Sequence, residues 1–524
     1  MYDYRISNIR LELSEDWEAL PCKVERACGL RPGSLKFSDM AVRRESLDAR
    51  KKRDIHRVIT LDFKYAGKIP ARGKKRLTPA PDLMPEKMMP GSEPLTGRPL
   101  IVGFGPCGIF AALRLAEAGY APLVVERGKA MAERVADVDA FWAQGILNPE
   151  SNVLFGEGGA GTFSDGKLTT GIKDRHIHQV LTTFVEAGAP ADIAYAQKPH
   201  IGTDILRKVV VALRHRIEAA GGEVRFDTSM KALKIDSAGR VTGTLLEQDG
   251  QTESLTTNAV ILAPGHSARD TFRQLDAQGV PMAQKPLSIG VRVEHPQALI
   301  DRGQYGDTQG LPPASYKLSY RAQNGRGVYS FCMCPGGQVV TAANQPGTLC
   351  VNGMSNRNRD SGTANAGILV DVRTSDFGGE RALAGVDFQE RWERAAFVQG
   401  GKTYSAPSCS WAAFRDGLPA ADKVIACLPD FAVTALREGI AAFGQKIAGF
   451  DDDSAKITAV ETRSSSPVRI LRGETFESTV AGLYPAGEGA GYAGGITSAA
   501  CDGLRVAEAI IRKFAPKIIE QGKK

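Results

Sequence analysis

The chain has no apolar run approaching the 18 or more residues that would cross a bilayer. Its first twenty positions carry Asp3, Glu12, Glu15 and Asp16 where a secretion signal needs an apolar stretch, so a cytoplasmic protein without membrane insertion is expected. A disulfide framework is missing too: nine cysteines, an odd number, are scattered over 524 residues, which points to reduced thiols. No CxxC pair and no ligand set at metal spacing occurs, so no metal is expected. Aromatics reach only 7%, with no ladder of them beside the basic residues. A net charge of +7 permits an anionic ligand or nucleic acid without demanding either. With 43% hydrophobic and 24% charged residues the chain is globular, neither disordered nor fibrous, and long enough for several domains.

Glycine is abundant, 57 of 524 residues against an average of about 7%. It clusters at 103–108, 156–166, 336–337 and 487–495, beside short apolar segments, as in loops where backbone approaches a ligand closely. Seven of the 28 prolines fall within 66–99, among Lys68, Arg72, Lys74, Lys75 and Arg76, and read as an extended linker. The expected organisation is a small N-terminal α+β module of ferredoxin-like type over 1–65, with strands at 5–13 and 58–63 and a helix at 17–28. A Pro/basic linker over 66–97 follows. An α/β dinucleotide-binding domain is built from 98–274 and 471–524, and a substrate or cap domain is inserted over 275–470.

The most specific signal is Ile101-Val-Gly-Phe-Gly-Pro-Cys-Gly-Ile-Phe110. Gly103, Gly105 and Gly108 form GxGxxG after an apolar strand and at the start of a helix, and a second strand ends at Glu126. Gly103 permits the turn, Gly105 lets backbone approach a pyrophosphate, and Gly108 lets helix and strand pack. The helix N-terminus takes the phosphate charge. Glu126 stands where a carboxylate meets the ribose hydroxyls and disfavours a 2′-phosphate. Three features favour FAD over NAD: the second glycine loop Gly158–Leu168, the strand and turn Ala259–Gly265, and Leu483-Tyr-Pro-Ala-Gly-Glu-Gly489 leading through Gly494–Ser498 into a last helix.

Segments 101–127, 259–265 and 483–510 resemble the FAD-binding domain of the glutathione-reductase-like flavoprotein superfamily, and Gly487-Glu488 is similar to the variant of fumarate-reductase-type flavoproteins. Residues 98–515 resemble more closely the uncharacterised bacterial FAD-dependent dehydrogenases, or NAD(FAD)-utilising proteins. Their phrases stand here as Gly158–Leu168, Ser288–Pro296 and Ser330–Gly337, and the module with Ser46–Lys52 looks like the one that precedes their flavin domain. The resemblance implies a discontinuous Rossmann-type FAD-binding domain and cofactor contacts from Gly103, Gly105, Pro106, Cys107, Gly108, Glu126 and Arg127. The second loop would add Gly159, Ala160, Gly161, Thr162, Ser164 and Lys167. Met230 would lie near adenine, with Ala263, Gly265 and Gly487 along the cofactor and Glu488 at its ribityl–pyrophosphate region. Gly495, Ile496 and Thr497, at the start of the last helix, would face the flavin pyrimidine edge, where a helix N-terminus stabilises negative charge. No second dinucleotide-binding motif follows the first, so if NAD(P)H donates electrons it docks transiently over the flavin.

The family names no substrate. An FAD-dependent oxidoreductase with hydride transfer at flavin N5 is the leading expectation, on a small organic molecule between the two domains. Catalytic candidates are the thiols Cys332 and Cys334, the strand-end imidazole His266, and Arg292 as a carboxylate clamp, with pairing to Glu294 as its bland alternative. His176 and His178 read as an exposed pair. His200 and His295, like His266, sit near strand ends where an imidazole can act as acid or base, with a structural or surface role as the alternative. Asp165 and Lys167 read as holding the shape of the flavin loop, while Tyr316, Lys317, Asn352 and Ser355 are polar positions in motif-rich stretches without an assigned role. The cluster Arg43, Arg44, Arg50, Lys51, Lys52 and Arg53 leaves a second expectation open, a flavin-dependent tRNA- or rRNA-modifying enzyme. A third is a non-catalytic FAD-binding protein. Oligomeric state is not legible.

Overall fold

A computed structural model describes residues 2–86 and 88–516; the end of the expected 471–524 segment, 517–524, lies outside the described residues. At its centre is a five-stranded parallel sheet. In space its strands run Leu483–Pro485, Val260–Leu262, Leu100–Val102, Leu123–Val125, Glu223–Arg225. In chain order this is 5-4-1-2-3, a Rossmann-type sheet whose order reverses between Leu100–Val102 and Val260–Leu262. The four strands other than Glu223–Arg225 are buried at every position, as expected of strands covered on both faces.

The helix Pro106–Glu117 makes the first crossover, and the last helix, Ile496–Lys513, lies against it. Their contact is close because of Gly503: a Cβ there would strike the Cys107 carbonyl oxygen. Ala499, Ala500 and Ala507 keep the rest of that seam narrow and buried. A three-stranded antiparallel meander, Thr228–Ile235, Val241–Gln248 and Gln251–Thr256, projects from one edge.

The inserted domain is a six-stranded antiparallel sheet, ordered Ser319–Arg321, Gly327–Cys334, Thr363–Val372, Leu287–Pro296, Lys456–Glu461, Ser408–Ser410. Alternation assigns its faces. Ile289, Val291 and Val293 enter a core with Ile368, Val370, Trp411, Leu436 and Phe443, whereas Ser288, Gly290 and Arg292 fall on the other face. The chain enters through Met282–Gln284 and leaves through Val468–Ile470, and these two strands pair antiparallel. A buried ion network ties the domains together: Glu393 of the inserted domain accepts from Arg269 at 2.8 Å and Arg463 at 2.7 Å.

The N-terminal module runs β-α-β-β-α-β, with sheet order Met40–Asp48, His56–Phe63, Tyr4–Leu11, Leu77–Pro79, all antiparallel. This is the split βαβ order of ferredoxin-like folds. It corrects the expected linker over 66–97. Leu77–Pro79 supplies the fourth strand, Ile69 is buried, and Gly91 and Glu93 donate backbone hydrogen bonds to Ile511 and Lys513 at the end of the last helix. Proline there serves an edge strand and a wrapping segment, both of which tolerate it.

Part of the basic cluster is tied down, while Arg44, Arg50, Lys51, Lys52 and Arg53 stand exposed. Arg43 and Arg5 share Asp62 at 2.8 and 2.7 Å, and Arg50 pairs with Asp48 at 2.5 Å. The strand bearing the cluster docks on the central domain, with Glu45 exchanging backbone hydrogen bonds with Tyr195 and Gln197 at 2.7 and 2.8 Å. Among the described residues no helix is long and apolar enough to cross a membrane.

Candidate functional site

Outside the carboxyl ends of the central strands, at the point where strand order reverses, lies a cavity of about 670 Å³. Two turns form its floor. Gly103, at φ +101°, ends the first strand, and Gly105 caps the helix Pro106–Glu117. A Cβ on Gly108 would strike the Gly103 carbonyl oxygen, so helix and strand are in contact there. The second glycine loop lies directly against the first: a Cβ on Gly159 would stand 3.0 Å from Gly105 Cα. The cavity walls therefore contain unobstructed backbone N–H groups at a helix start, a ready anion site.

Glu126 lines the cavity and is buried. Its Oε1 accepts from the backbone N–H of Gly128 (3.0 Å) and Gly156 (2.9 Å), and its Oε2 from Phe104 (2.9 Å). Oε2, with a single donor, keeps acceptor capacity. Arg127 also lines the cavity, but its guanidinium is held by Glu150 at 2.6 Å and Asp270 at 2.8 Å.

Of the residues named from sequence for the cofactor, Gly103, Gly105, Pro106, Cys107, Glu126, Arg127, Gly159, Ala160, Gly161, Ser164, Lys167, Met230, Ala263, Gly265, Glu488, Gly495 and Ile496 all line this one cavity. Gly108, Thr162, Gly487 and Thr497 stand behind its wall. Thr162 is buried, Gly487 packs on Cys107, and Thr497 donates to the Leu168 carbonyl at 2.7 Å. Residues more than 380 positions apart in sequence thus meet at one site, as a discontinuous domain requires.

The inserted domain closes the other end. Phe331, Cys332 and Glu461 reach the cavity from its sheet, and Asn352 from the separate hairpin Gln338–Ala342 with Cys350–Met354, facing Lys167, Asp165, Glu488 and His266 of the central domain. Burial pushes the Glu488 carboxyl up to about 7. Burial, with Arg463 and Arg269 nearby, pushes His266 down to about 4, so its imidazole is neutral near pH 7; its Nδ1 lies 2.9 Å from the Ser267 hydroxyl. Asp165 is buried between Arg359 at 3.2 Å and Lys167 at 4.0 Å, and accepts from the Ser355 hydroxyl.

Arg292 does not clamp a substrate, and its partner is not Glu294. It is fully buried, ion-paired to Glu461 at 2.6 Å, and donates to the Cys332 carbonyl (2.9 Å), Asn365 Oδ1 (3.0 Å) and Asn352 Oδ1 (3.2 Å). All its contacts are inside the wall, where it positions Cys332 and Asn352. Glu294 pairs with Lys456 instead, at 3.1 Å. His176 is not exposed either: it is buried between Asp174 (2.7 Å) and Glu508 (3.1 Å). His295 Nε2 donates to the Phe450 carbonyl, 2.7 Å away, inside the inserted core. Among the described residues no group of three or more His, Cys, Asp or Glu is placed to hold a metal.

Sequence reasoning missed Glu461, Arg463 and Ser464 as cavity residues; they lie where the chain leaves the inserted domain, with no glycine signature to flag them. Asn352, singled out without a role, and Asp165, expected to support the flavin loop, both face the cavity.

A family model described as FAD-dependent protein, C-terminal domain-like, matches residues 286–464, the inserted domain. A second model, of a domain of unknown function, matches 3–64. A protein of Clostridium beijerinckii named only as uncharacterized is 43% identical over 540 residues, covering 97% of this chain and 99% of its own. Among solved structures, a geranylgeranyl bacteriochlorophyll reductase-like protein of Thermoplasma acidophilum aligns over 80% of this chain and 78% of its own at 14% identity and a TM-score of 0.37. An L-proline dehydrogenase from P. horikoshii aligns over 80% and 94% at 12% identity and a TM-score of 0.39.

Proposed function

This chain belongs to one family with the clostridial protein and carries the match to the FAD-dependent C-terminal domain over 286–464, and on that premise we propose that it is an FAD-dependent oxidoreductase acting on a small organic substrate. The supporting observation is the single cavity at the strand-order reversal, which carries a phosphate-sized glycine cradle at one end and a polar, two-domain wall at the other.

The donor set suits the group. Gly103–Gly108 and the helix start at Pro106 would hold the pyrophosphate, and the free acceptor capacity of Glu126 Oε2 the ribose. Met230 would border the adenine, and Glu488 the ribityl region. The start of the last helix, at Gly495 and Ile496, would face the pyrimidine edge of the ring, with its dipole favouring negative charge there. When bound, FAD supplies hydride chemistry at its N5 atom. The chain's own part is to exclude water with Phe331 and the inserted sheet and to hold protons near the ring. Glu488, close to half-ionised at neutral pH, can exchange one there; neutral His266 offers a second exchange site. NAD(P)H would be a transient donor at the inserted-domain end.

The test is to purify the chain without added flavin, release and identify any bound cofactor, then reduce it chemically and follow reoxidation by candidate acceptors. FAD at one per chain with rapid reoxidation by an organic acceptor supports the reading. FAD that no acceptor or donor turns over would make the chain a flavin-binding protein, and a chain that takes no FAD would end the proposal.

A further inference from the structure

We propose that Cys332 and Cys334 form a dithiol–disulfide couple on the inserted-domain wall of the cavity, Cys332 attacking a small disulfide substrate and Cys334 resolving the mixed disulfide. This rests on the reading above for the source of returning electrons, but its chemistry is confined to the two sulfurs.

The geometry separates the two roles. Cys332 is half-buried and lines the cavity; Cys334 is fully buried behind it. Cys332 adopts φ +43°, a left-handed conformation that non-glycine residues rarely hold and that concentrates at functional positions. It sits where the strand pairing to Thr363–Val372 slips, between Phe331 and Cys334. That slip is held in place. Arg292, itself fixed by Glu461, donates to the Cys332 carbonyl at 2.9 Å, and Cys334 Sγ lies 3.2 Å from the same oxygen. Room for the buried sulfur comes from two glycines: a Cβ on Gly353 would stand 2.9 Å from Cys334 Sγ, and one on Gly337 3.0 Å from Cys334 Cβ.

The charges suit an attacking thiolate beside a resolving thiol. The Cys334 thiol, then the Lys167 ammonium and the Arg292 guanidinium, hold the Cys332 thiol below its ordinary range against the opposing effect of burial. The same coupling, with burial, pushes Cys334 up. Asp165, Glu461 and Glu488 face the pair with negative charge, so Lys167 and Arg292 are the cations that set the balance. The remaining cysteines lack this setting: Cys107 and Cys350 also line the cavity, but burial pushes both thiols up, and Cys28, Cys427 and Cys501 are buried outside it.

The reaction balances within itself. Cys332 sulfur attacks one sulfur of the substrate; the substrate S–S bond breaks and the first thiolate leaves, taking a proton. Cys334 then loses its proton and attacks Cys332 sulfur, expelling the second thiol. One disulfide and two cysteine thiols become one protein disulfide and two small thiols, two electrons passing to the substrate. Restoring the pair takes two electrons and two protons from a donor of the flavin or dithiol class.

The experiment uses the full chain as purified, with the exposed Cys22 and half-buried Cys409 replaced by serine. It is reduced, desalted and exposed to bis(2-hydroxyethyl) disulfide. Intact mass, peptide mapping and released mercaptoethanol are read, and flavin content is taken from the absorption spectrum of the same samples. The expected result is two equivalents of thiol released and a chain lighter by two hydrogens, linked between Cys332 and Cys334. C334S should keep one adduct at Cys332, and C332S should react at least about tenfold more slowly. K167Q should move the pH midpoint of the reaction upward while the final products stay the same. An adduct that persists on Cys332 with Cys334 present, or a Cys332 no faster than buried Cys350, would overturn the proposal whether or not the samples carry flavin. Colourless samples that still close the disulfide would instead count against FAD alone.

Discussion

Glu126 shows how one side chain can serve a fold and a ligand together. Its carboxylate gathers backbone N–H groups from both glycine loops, Phe104 and Gly156, and from Gly128, and truncation would leave those buried donors without an acceptor, at about 1–3 kcal/mol for such a loss. E126A is therefore expected to lower stability by about that amount in urea titration and to lose bound FAD on dialysis, whereas E126Q, which keeps one acceptor oxygen, should fall between. Glu488 makes a pH prediction. Its carboxyl is raised to about 7, so between its ordinary 4.5 and about 7 the folded chain holds a proton that the unfolded chain has released. Its contribution to stability is complete below 4.5 and is lost as pH rises through 7. In flavin-free protein, E488Q should flatten the fall of Tm between pH 5 and 7; an unchanged slope would mean the carboxyl is already ionised.

The motif residues at this scale were readable because their signal is local: three glycines, a strand before, a helix after, an acid at the next strand end. Arg292 was not, because its partner Glu461 lies 169 positions away, on a neighbouring strand of the same sheet, and nothing in Ser288–Pro296 announces it. His176 misled for the same reason; its polar neighbours suggested solvent, while Glu508, 332 positions on, buries it.

Among the elements, the contact between the helices Pro106–Glu117 and Ile496–Lys513 depends most on a single position. A side chain at Gly503 would meet the Cys107 carbonyl, so G503V should cost about 1–3 kcal/mol by overpacking and should weaken FAD retention by displacing the phosphate loop. Equal stability of variant and parent in urea would mean that the helices can separate freely. The central strands could be picked out from short β-branched runs and glycine turns. The strand Leu77–Pro79 could not: its proline, with Pro81 beyond it and the flanking lysines, resembles a linker, and only pairing with Tyr4–Ile6 makes it a strand. The docking of the strand Met40–Asp48 was hidden in the same way, since Arg43 finds its acid, Asp62, on the adjacent strand.

For the molecule as a whole, the cavity exists only while two domains keep their relation. Two devices maintain it, the paired crossing strands Met282–Gln284 and Val468–Ile470 and the buried Arg269–Glu393–Arg463 network. Removing Glu393 leaves buried Arg463 without its carboxylate and Arg269 with only Glu390 at 3.9 Å, which costs about 3–5 kcal/mol for a broken buried pair. E393A should unfold in two calorimetric steps where the parent unfolds in one. The discontinuous domain was visible in sequence because both of its pieces carry glycine signatures; the orientation of the inserted sheet was not, since it is set by these long-range pairs.

The most direct test of a flavin spanning this cavity is the absorption spectrum of the wild-type chain, purified without added cofactor, beside that of E126A, followed by heat release and identification of what is bound. The expected result is the two visible bands of oxidised flavin in the wild type, FAD at one per chain, and their loss from the variant. A colourless wild type that fails to take up FAD, or a variant that retains it as firmly as the parent, would contradict the assignment.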